Sequence, residues 1–128
     1  AALFFLDLDD FKLVNDTYGH AAGNHALQAV ADILKKNIRA TDYAARIGGD
    51  EFIIFLNGIS SQDDAADCAH RICDQLSDIC VEHTEFRLSG SIGVSIAPED
   101  GTDYKSLVKH ADRKVYRAKS EGKNQFAI

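Results

Sequence analysis

The chain has 128 residues, 45% of them hydrophobic and 27% charged, with a single proline, which fits one ordered domain over residues 1–128. Fourteen basic and twenty acidic residues give a net charge of −6, which argues against binding of long nucleic acid because phosphate-backbone binding normally needs a basic face. No stretch is long enough to span a bilayer. We therefore expect a cytoplasmic domain without membrane contact, with any membrane tether elsewhere in a longer protein.

The three cysteines and five histidines give no sign of a transition-metal site. Cys68, Cys73 and Cys80 form no Cys-x-x-Cys motif. They are predicted to be small buried hydrophobes in a reducing compartment rather than disulfides or zinc ligands. The histidines also lack metal-ligand spacing.

The first elements are a strand and a helix. Leu3-Phe4-Phe5-Leu6 is apolar on both faces and predicts a central strand, which ends in Asp7-Leu8-Asp9-Asp10. Residues 11–20 are polar enough for a loop and a short helix. From about Ala22 to Ile38, apolar residues recur at intervals of three and four, which predicts an amphipathic helix.

The middle of the chain predicts a hairpin. Two apolar runs flank Gly48-Gly49, which is typical of a tight turn between two strands. The strands are predicted over Asp42–Ile47 and Glu51–Leu56.

A helix and a strand follow the hairpin. Ser61, with Asp64 three residues later, resembles a capping box for a helix that ends near Ile79. The expected buried face of this helix consists of Ala66, Ala69, Ile72, Cys73 and Leu76. Apolar residues then alternate with polar ones over residues 86–96, which predicts a long half-buried strand that Pro98 ends.

The last predicted elements complete the fold. Thr102 or Asp103 can cap a helix that runs to about Ser120, with Gly122 as its stop, and residues 124–128 are candidates for an edge strand. The order β-α-β-β-α-β, plus a helix and a strand, predicts a ferredoxin-like α/β (α+β) fold. Its sheet is expected to be mainly antiparallel with helices packed on one face, as in nucleotide cyclases and polymerase palms.

Acidic residues mark two of the predicted strand ends. Asp50 and Glu51 lie at the hairpin turn, and Asp7 lies at the end of the first strand. Carboxylates from two strand ends suit a Mg²⁺ site for phosphoryl chemistry, because Mg²⁺ takes hard oxygen ligands and shares them with substrate phosphates. A solvated strand end is the alternative for each acid taken singly.

Gly48-Gly49-Asp50-Glu51-Phe52 is the complete signature of the GGDEF domains, the diguanylate cyclases of bacterial signalling, and the chain resembles this family over nearly its whole length. The resemblance implies that two GTP are condensed into cyclic di-GMP with release of two pyrophosphates. It also implies a homodimer, in which each domain holds one GTP. Family members usually carry an N-terminal helix and a linker to a sensory module, so the chain is expected to be an N-terminally truncated domain of a longer signalling protein.

The resemblance implies a metal-dependent catalytic site. Two Mg²⁺ (or Mn²⁺) ions per GTP would be held by Asp7, Asp50, Glu51 and the backbone carbonyl of Leu8. Asp7, Asp50 and Glu51 would be the catalytic residues, and Glu51 would either complete the metal shell or help to take the proton from the attacking hydroxyl. Asp9 belongs to the same acidic pattern, without an assigned role.

The resemblance also implies phosphate contacts. Phe11 and Lys12 match the family's phosphate loop, and Gly48 and Gly49 would also contact the nucleotide. Lys109 and Arg113 lie four residues apart on the last helix and share one face, where the family places phosphate-binding cations. A solvated basic face is the alternative for Arg113.

Guanine recognition departs from the family pattern. Asn15 matches a family asparagine that holds the guanine edge, but Asn24 stands where the family has an aspartate. A carboxylate accepts from both the N1–H and the exocyclic amine of guanine, whereas an amide offers one acceptor oxygen. We expect weakened but not abolished GTP binding, by about 1–3 kcal/mol. Asn24 as a helix N-cap is the alternative.

An inhibitory product site is implied by Arg39-Ala40-Thr41-Asp42, placed just before the hairpin, with Arg71 as a second contact. Arginine can grip a guanine edge or a phosphate bidentately, and the aspartate can accept from guanine. A surface ion pair is the ordinary explanation for such a spacing.

Three other functions compete with the cyclase. A degenerate cyclase could bind GTP or cyclic di-GMP without making product, and Asn24 favours this reading. A polymer-using palm-type nucleotidyl transferase conflicts with the acidic charge. An interaction domain without a ligand would leave the paired acidic strand ends unexplained.

Overall fold

The computed structural model describes residues 1–59, 61–81 and 84–128. The elements in chain order are β1 (Ala2–Leu8), α1 (Phe11–Tyr18), α2 (His20–Lys36), β2 (Tyr43–Arg46), β3 (Glu51–Leu56), α3 (Gln62–Ser77), β4 (Gly90–Ile96), α4 (Tyr104–Ser120) and β5 (Phe126–Ala127). The sheet has the order β2-β3-β1-β4-β5, and only β4 and β5 pair in parallel. The predicted mainly antiparallel α/β fold is therefore confirmed.

β1 is the centre of the sheet, as its two-sided apolar sequence predicted. It pairs with β3 on one side and β4 on the other, and its residues are buried except for partly exposed Asp7. Antiparallel pairing places Asp7 opposite Glu51 and Ala2 opposite Ile96. The acidic end of β1 therefore lies beside the hairpin.

The helices cover both faces of the sheet, so the expectation of helices on one face was wrong. Phe4 and Leu6 point into a core shared with α1, α2 and α3, whereas Leu3 and Phe5 pack with Leu107, Ala111 and Val115 of α4. The helices of the predicted β-α-β-β-α-β unit all pack on the face that contains Phe4 and Leu6. α4 follows that unit and packs on the opposite face.

β4 is buried on both faces and is not half-buried, because α4 lies against its small side chains. Ser91 and Ser95 are fully buried, and the Ser95 hydroxyl donates to the carbonyl of Leu107 at 2.8 Å. A Cβ at Gly93 would overlap the carbonyl oxygen of Ala111. The small residues that alternate along β4 were predicted to face solvent. They instead allow α4 to pack closely against the sheet.

Several boundaries differ from the predictions by a few residues. The strand predicted over residues 86–96 begins at Gly90, with only an isolated bridge at Arg87 before it. Ser61 caps α3 and accepts from the backbone N–H of Asp64 at 3.1 Å, as predicted, and Asp103 caps α4. On α3, Ala66 is only partly buried, and the buried residues are Ala65, Cys68, Ala69, Ile72, Cys73 and Leu76.

All three cysteines are free. Cys68 and Cys73 are buried, as predicted, but Cys80 is exposed. Within the described ranges, no helix is both long and apolar enough to cross a lipid bilayer.

Candidate active site

The acidic ends of β1 and the β2–β3 hairpin meet at one edge of the sheet. Asp7 faces Glu51 across the β1–β3 pair, and the backbone N–H of Leu8 donates to the carbonyl of Asp50 at 3.0 Å. These contacts hold Asp7, Leu8, Asp50 and Glu51 together. Their individual roles as ligands or catalysts stay predictions.

The surroundings of Asp7 oppose its negative charge. Burial is the main cause that raises its pKa to about 6, and the nearby carboxylates of Asp50 and Glu51 add to this rise. The ammonium group of Lys119, 3.6 Å from Asp7 Oδ1, acts in the opposite direction. A cluster of this kind favours a bound cation, because a cation relieves the repulsion among the carboxylates.

Asp9 is a buried hydrogen-bonding centre next to this cluster. Its side chain accepts from the hydroxyls of Ser89 and Ser91, each at 2.7 Å, from Lys119 Nζ at 3.0 Å and from the backbone N–H of Asn124 at 3.0 Å. Burial opposes the charge, but these hydrogen bonds outweigh it and lower the pKa of Asp9. Asp9 therefore stays ionised and ties the end of α4 to β1 and β4.

Lys119 and Lys123 are the site cations that the sequence reasoning missed. Lys119 contacts both Asp7 and Asp9, and Lys123 Nζ lies 3.0 Å from Asp10 Oδ1. The directions of β1 and β4 could have indicated that the C-terminal end of α4 lies near the acidic residues. β4 ends beside the start of β1, so α4 begins at the far edge of the sheet, and its 17 residues, about 25 Å long, return its C-terminal end to the acidic edge.

For the same reason the structure does not bring Lys109 and Arg113 to the acidic cluster. Both are exposed within the first ten of the 17 residues of α4, and neither lines the cavity beside Asp50. Lys109 lies ten residues before Lys119, which corresponds to about 15 Å along the helix. Phosphate contacts by Lys109 and Arg113 stay predictions.

A cavity of about 250 Å³ opens beside the acidic edge. It is bounded by α1, α2 and the hairpin, and its lining includes several residues predicted to contact nucleotide. The lining residues are Phe11, Lys12, Asn15, His20, Asn24, Leu27, Arg46, Gly49 and Asp50. His20, Leu27 and Arg46 were not predicted, and Gly48 does not line the cavity.

Gly23 sets the position of Asn15 in this cavity. A Cβ at Gly23 would overlap Asn15 Oδ1 and would come within 3.4 Å of Phe11 Cζ. Glycine therefore allows the Asn15 side chain to lie directly against α2. No role for Gly23 was predicted from the sequence.

Arg46 braces the hairpin loop. Its guanidinium donates to the carbonyl of Gly48 at 2.9 Å and to that of Gly49 at 3.0 and 3.2 Å. The predicted hairpin is confirmed: β2 and β3 pair antiparallel, and the backbone N–H of Ile47 donates to the carbonyl of Glu51 at 2.9 Å, which leaves residues 48–50 as the turn. Neither glycine of this turn has a positive φ. A Cβ at Gly48 would lie 2.8 Å from Glu51 Oε1, whereas one at Gly49 would meet no atom within 4 Å. A side chain at position 48 would therefore displace the Glu51 carboxylate from its present position, whereas Gly49 leaves the cavity open.

The donor set fits Mg²⁺ shared with a substrate. Within the described ranges, no three His, Cys, Asp or Glu side chains are arranged to enclose a metal. Mg²⁺ usually binds one or two carboxylates together with substrate phosphates, so such an enclosure is not needed. Asp7 would be the first ligand, with Asp50, Glu51 and the carbonyl of Leu8 as neighbours.

A second cavity, of about 370 Å³, brings together all three predicted product-site residues, Arg39, Asp42 and Arg71. The Arg71 Nε donates to Asn37 Oδ1 at 2.7 Å, so the end of α2 orients this arginine. The two Asp42 oxygens accept from the backbone N–H groups of Arg39 and Asn57, each at 2.9 Å.

A third cavity, of about 530 Å³, is a mainly apolar groove between α2 and β2. We call it the α2–β2 groove. It shares Asn24, Leu27 and Arg46 with the cavity beside Asp50 and shares Asp42 with the second cavity. It contains none of the acidic residues at the end of β1.

Comparison with known sequences gives a consistent result. A family model described as "Diguanylate cyclase, GGDEF domain" matches residues 1–125. The bifunctional diguanylate cyclase/cyclic di-GMP phosphodiesterase MucR of Pseudomonas aeruginosa is 40% identical over 128 residues, which cover 99% of this chain and 18% of MucR. The chain spans less than half the length of the curated relatives it matches first.

Solved structures show the same likeness. The GGDEF domain of PA1120 from Pseudomonas aeruginosa has a TM-score of 0.92 and 33% identity, with 98% of this chain and 80% of that chain covered. The GGDEF domain of DgcB from Caulobacter crescentus, solved in complex with c-di-GMP, has a TM-score of 0.88 and 26% identity, with 98% and 75% covered.

Proposed function

This chain belongs to the GGDEF family of diguanylate cyclases, and we propose that it condenses two GTP into cyclic di-GMP with release of two pyrophosphates. The 3′-hydroxyl of each GTP would attack the α-phosphate of the other. The observation that carries the proposal is the junction of the acidic edge with the cavity lined by α1, α2 and the hairpin.

The geometry suggests how one GTP would lie. Asn15 and Asn24 line the α1–α2 side of the cavity, where they can hydrogen-bond the guanine edge. The phosphates would run towards the N-terminus of α1, where the backbone N–H groups of Phe11 and Lys12 favour an anion. Lys119 would meet them from the other side.

The metal requirement follows from the acidic edge. We propose that two divalent ions, Mg²⁺ or Mn²⁺, are held there by Asp7, Asp50 and Glu51, with the carbonyl of Leu8, and by the GTP phosphates. When bound, the metal neutralises phosphate charge and stabilises the developing charge of in-line displacement. The protein's own part is to fix the carboxylates and to hold GTP against them.

Catalysis would need two domains. One domain offers one such cavity beside Asp50, and each reaction consumes two nucleotides, so two domains would face each other across their acidic edges. Sensory or other signalling domains would control this encounter, since the first relatives are much longer than the chain. Such a domain would act in the cytoplasm, where GTP is available.

The second cavity would be the inhibitory product site. Arg39, Asp42 and Arg71 line one concave surface, and two arginines with one carboxylate can grip phosphate and guanine together. The GGDEF domain of DgcB was solved in complex with c-di-GMP, which supports product binding by this kind of domain.

The second candidate function is a regulatory module that binds GTP or cyclic di-GMP without turnover. One observation favours it: Asn24, not an aspartate, lines the candidate guanine pocket. The retained acidic edge opposes it.

Product analysis distinguishes the two functions. The concentrated domain is incubated with GTP and Mg²⁺ beside Asp50→Asn and a matched Asp63→Asn control, which changes an exposed acid on α3. We expect cyclic di-GMP from the parent and the control, and none from Asp50→Asn. Binding of nucleotide without product would support the regulatory module instead.

A further inference from the structure

The ammonium group of Lys119 lies where a divalent cation would compete with it. Lys119 Nζ is 3.6 Å from Asp7 Oδ1 and 3.0 Å from Asp9 Oδ1, and its side chain is 28% exposed. Of the three charged side chains that act most strongly on Asp7 in the described part of the chain, Asp50 and Glu51 oppose the ionised carboxylate and Lys119 favours it. In the metal-free domain the lysine therefore balances part of the acidic cluster.

The two contacts of Lys119 differ in strength. The contact with Asp9 is shorter, and the Asp9 side chain is 2% exposed and fixed by three further donors. The contact with Asp7 is longer, and the Asp7 side chain is 25% exposed. The Asp7 contact can thus exchange while the Asp9 contact persists.

A metal ion at Asp7 would lie close to this lysine. Mg²⁺ binds oxygen at about 2.1 Å, so an ion on Asp7 Oδ1 would lie within about 6 Å of the present position of Lys119 Nζ. A single and a double positive charge at that distance repel each other by about tenfold in binding affinity even in water. The lysine and the metal therefore compete for Asp7.

We propose that Lys119 is a built-in counter-ion for Asp7 in the metal-free domain, which a divalent cation displaces while Asp9 retains the lysine at the site. The displaced ammonium group is then free to meet a GTP phosphate. This inference rests on the proposed function, because it places the metal and GTP at the same edge. It makes Asp9 a positioning residue that keeps Lys119 within reach of both.

The inference gives opposite expectations for metal and for nucleotide. Without nucleotide, Lys119→Gln is expected to bind Mn²⁺ at least about fivefold more tightly than the parent, because the competing charge is gone. The same variant is expected to bind GTP with Mg²⁺ more weakly, because a phosphate partner is lost. A role in folding alone would move neither affinity in this pattern.

Two variants serve as controls. Lys119→Arg keeps the positive charge and is expected to bind Mn²⁺ like the parent. Lys105→Gln changes the net charge equally at an exposed position in the first turn of α4, and its Mn²⁺ affinity is expected to stay within about twofold of the parent's.

Mn²⁺ affinity is measured by electron paramagnetic resonance of the free ion. Unchanged or weaker binding by Lys119→Gln, or no binding by either protein, overturns the inference. In the parent, an added Mg²⁺ titration followed by side-chain ¹⁵N NMR is expected to shift the Lys119 resonance but not that of Lys105. Absence of that shift also overturns it, even where Lys119→Gln does not fold.

Failure of this inference is distinguishable from failure of the proposed function. If the parent forms cyclic di-GMP and Lys119→Gln binds Mn²⁺ with unchanged affinity, the counter-ion role of Lys119 is rejected and the cyclase activity stands. If Lys119→Gln binds Mn²⁺ more tightly but the parent forms no cyclic di-GMP, the cyclase activity is rejected and the counter-ion role of Lys119 stands.

Discussion

At the scale of single residues, Asp7 stands in an environment that destabilises its ionised form. The pKa of Asp7 is raised from 3.8 to about 6 by burial and by the neighbouring carboxylates. Between about pH 4 and pH 6 the folded state holds more protons than the unfolded chain, so this residue makes the fold less stable as pH rises through that window. The full cost is present above pH 6.

We therefore expect Asp7→Asn to be more stable than the parent at pH 7.5. Two pKa units correspond to at most about 3 kcal/mol, and solvent screening at a side chain that is 25% exposed reduces the expected gain to about 1–2 kcal/mol. Urea denaturation at pH 7.5 and pH 4.5 measures this, and the difference should shrink at the lower pH. Added Mg²⁺ should stabilise only the parent. A less stable Asn variant at pH 7.5 would refute this.

Asn24 is the residue that limits guanine binding in our interpretation. Asn24→Asp is expected to lower the KM for GTP by about five- to a hundredfold, because the carboxylate accepts from two guanine donors. Inosine triphosphate lacks the exocyclic amine and is the matched control, with a smaller expected gain. An equal gain with both nucleotides would contradict a direct contact between this residue and the base.

Gly23 is expected to be essential for the position of Asn15. Gly23→Ala places a methyl group on Asn15 Oδ1, so we expect a loss of about 1–3 kcal/mol in stability and a raised KM for GTP. In an Asn15→Ala background the stability cost should largely disappear, since the overlapping atom is gone. Thermal unfolding of the four proteins tests this, and a cost that persists in that background would rule out the clash.

At the scale of elements, the α2–α3 junction controls the second cavity. Arg71 reaches it from α3, and Asn37 at the end of α2 holds its Nε. Arg71→Ala is expected to raise the inhibition constant for cyclic di-GMP about tenfold or more, because a charged donor to the ligand is lost. Arg87→Ala, an exposed arginine outside this cavity, is the control. An unchanged inhibition constant for Arg71→Ala would remove the cavity as the inhibitory site.

The sequence predicted elements whose signals are local. The limits of β3 were predicted to the residue, and the Ser61 cap was found, because both depend on neighbours along the chain. The packing of α4 was not predicted, since the glycine and serines of β4 read equally well as a solvent face. The role of Lys119 was not predicted because it depends on a long-range contact: Lys119 and Asp9 are 110 positions apart in the sequence.

At the scale of the whole molecule, the predicted strand ends and several predicted nucleotide contacts converge on one edge of the sheet. Asp50 and the two asparagines line one cavity, because the turn of the hairpin, α1 and the beginning of α2 lie together at the end of β1. What the sequence could not supply is the arrangement around Asp9, in which the end of β1 meets Ser89 and Ser91, Lys119 near the end of α4, and the backbone of Asn124. Such arrangements depend on the packing of the complete sheet.

The requirement for two domains has a kinetic consequence. If each domain binds one GTP, the rate per domain should rise with protein concentration until dimers dominate, and the total rate at low concentration should approach second order. A dilution series at saturating GTP, followed by chromatography of the product, measures this. A rate strictly proportional to protein throughout the series would mean that one domain suffices.

A crystal structure of the domain with Mg²⁺ and a non-hydrolysable GTP analogue would test the assigned site most directly. We expect guanine between Asn15 and Asn24, phosphates at the N-terminus of α1, and metal on the carboxylate of Asp7. A nucleotide seated instead in the α2–β2 groove, with no metal at the acidic edge, would contradict the assignment of this edge as the catalytic site.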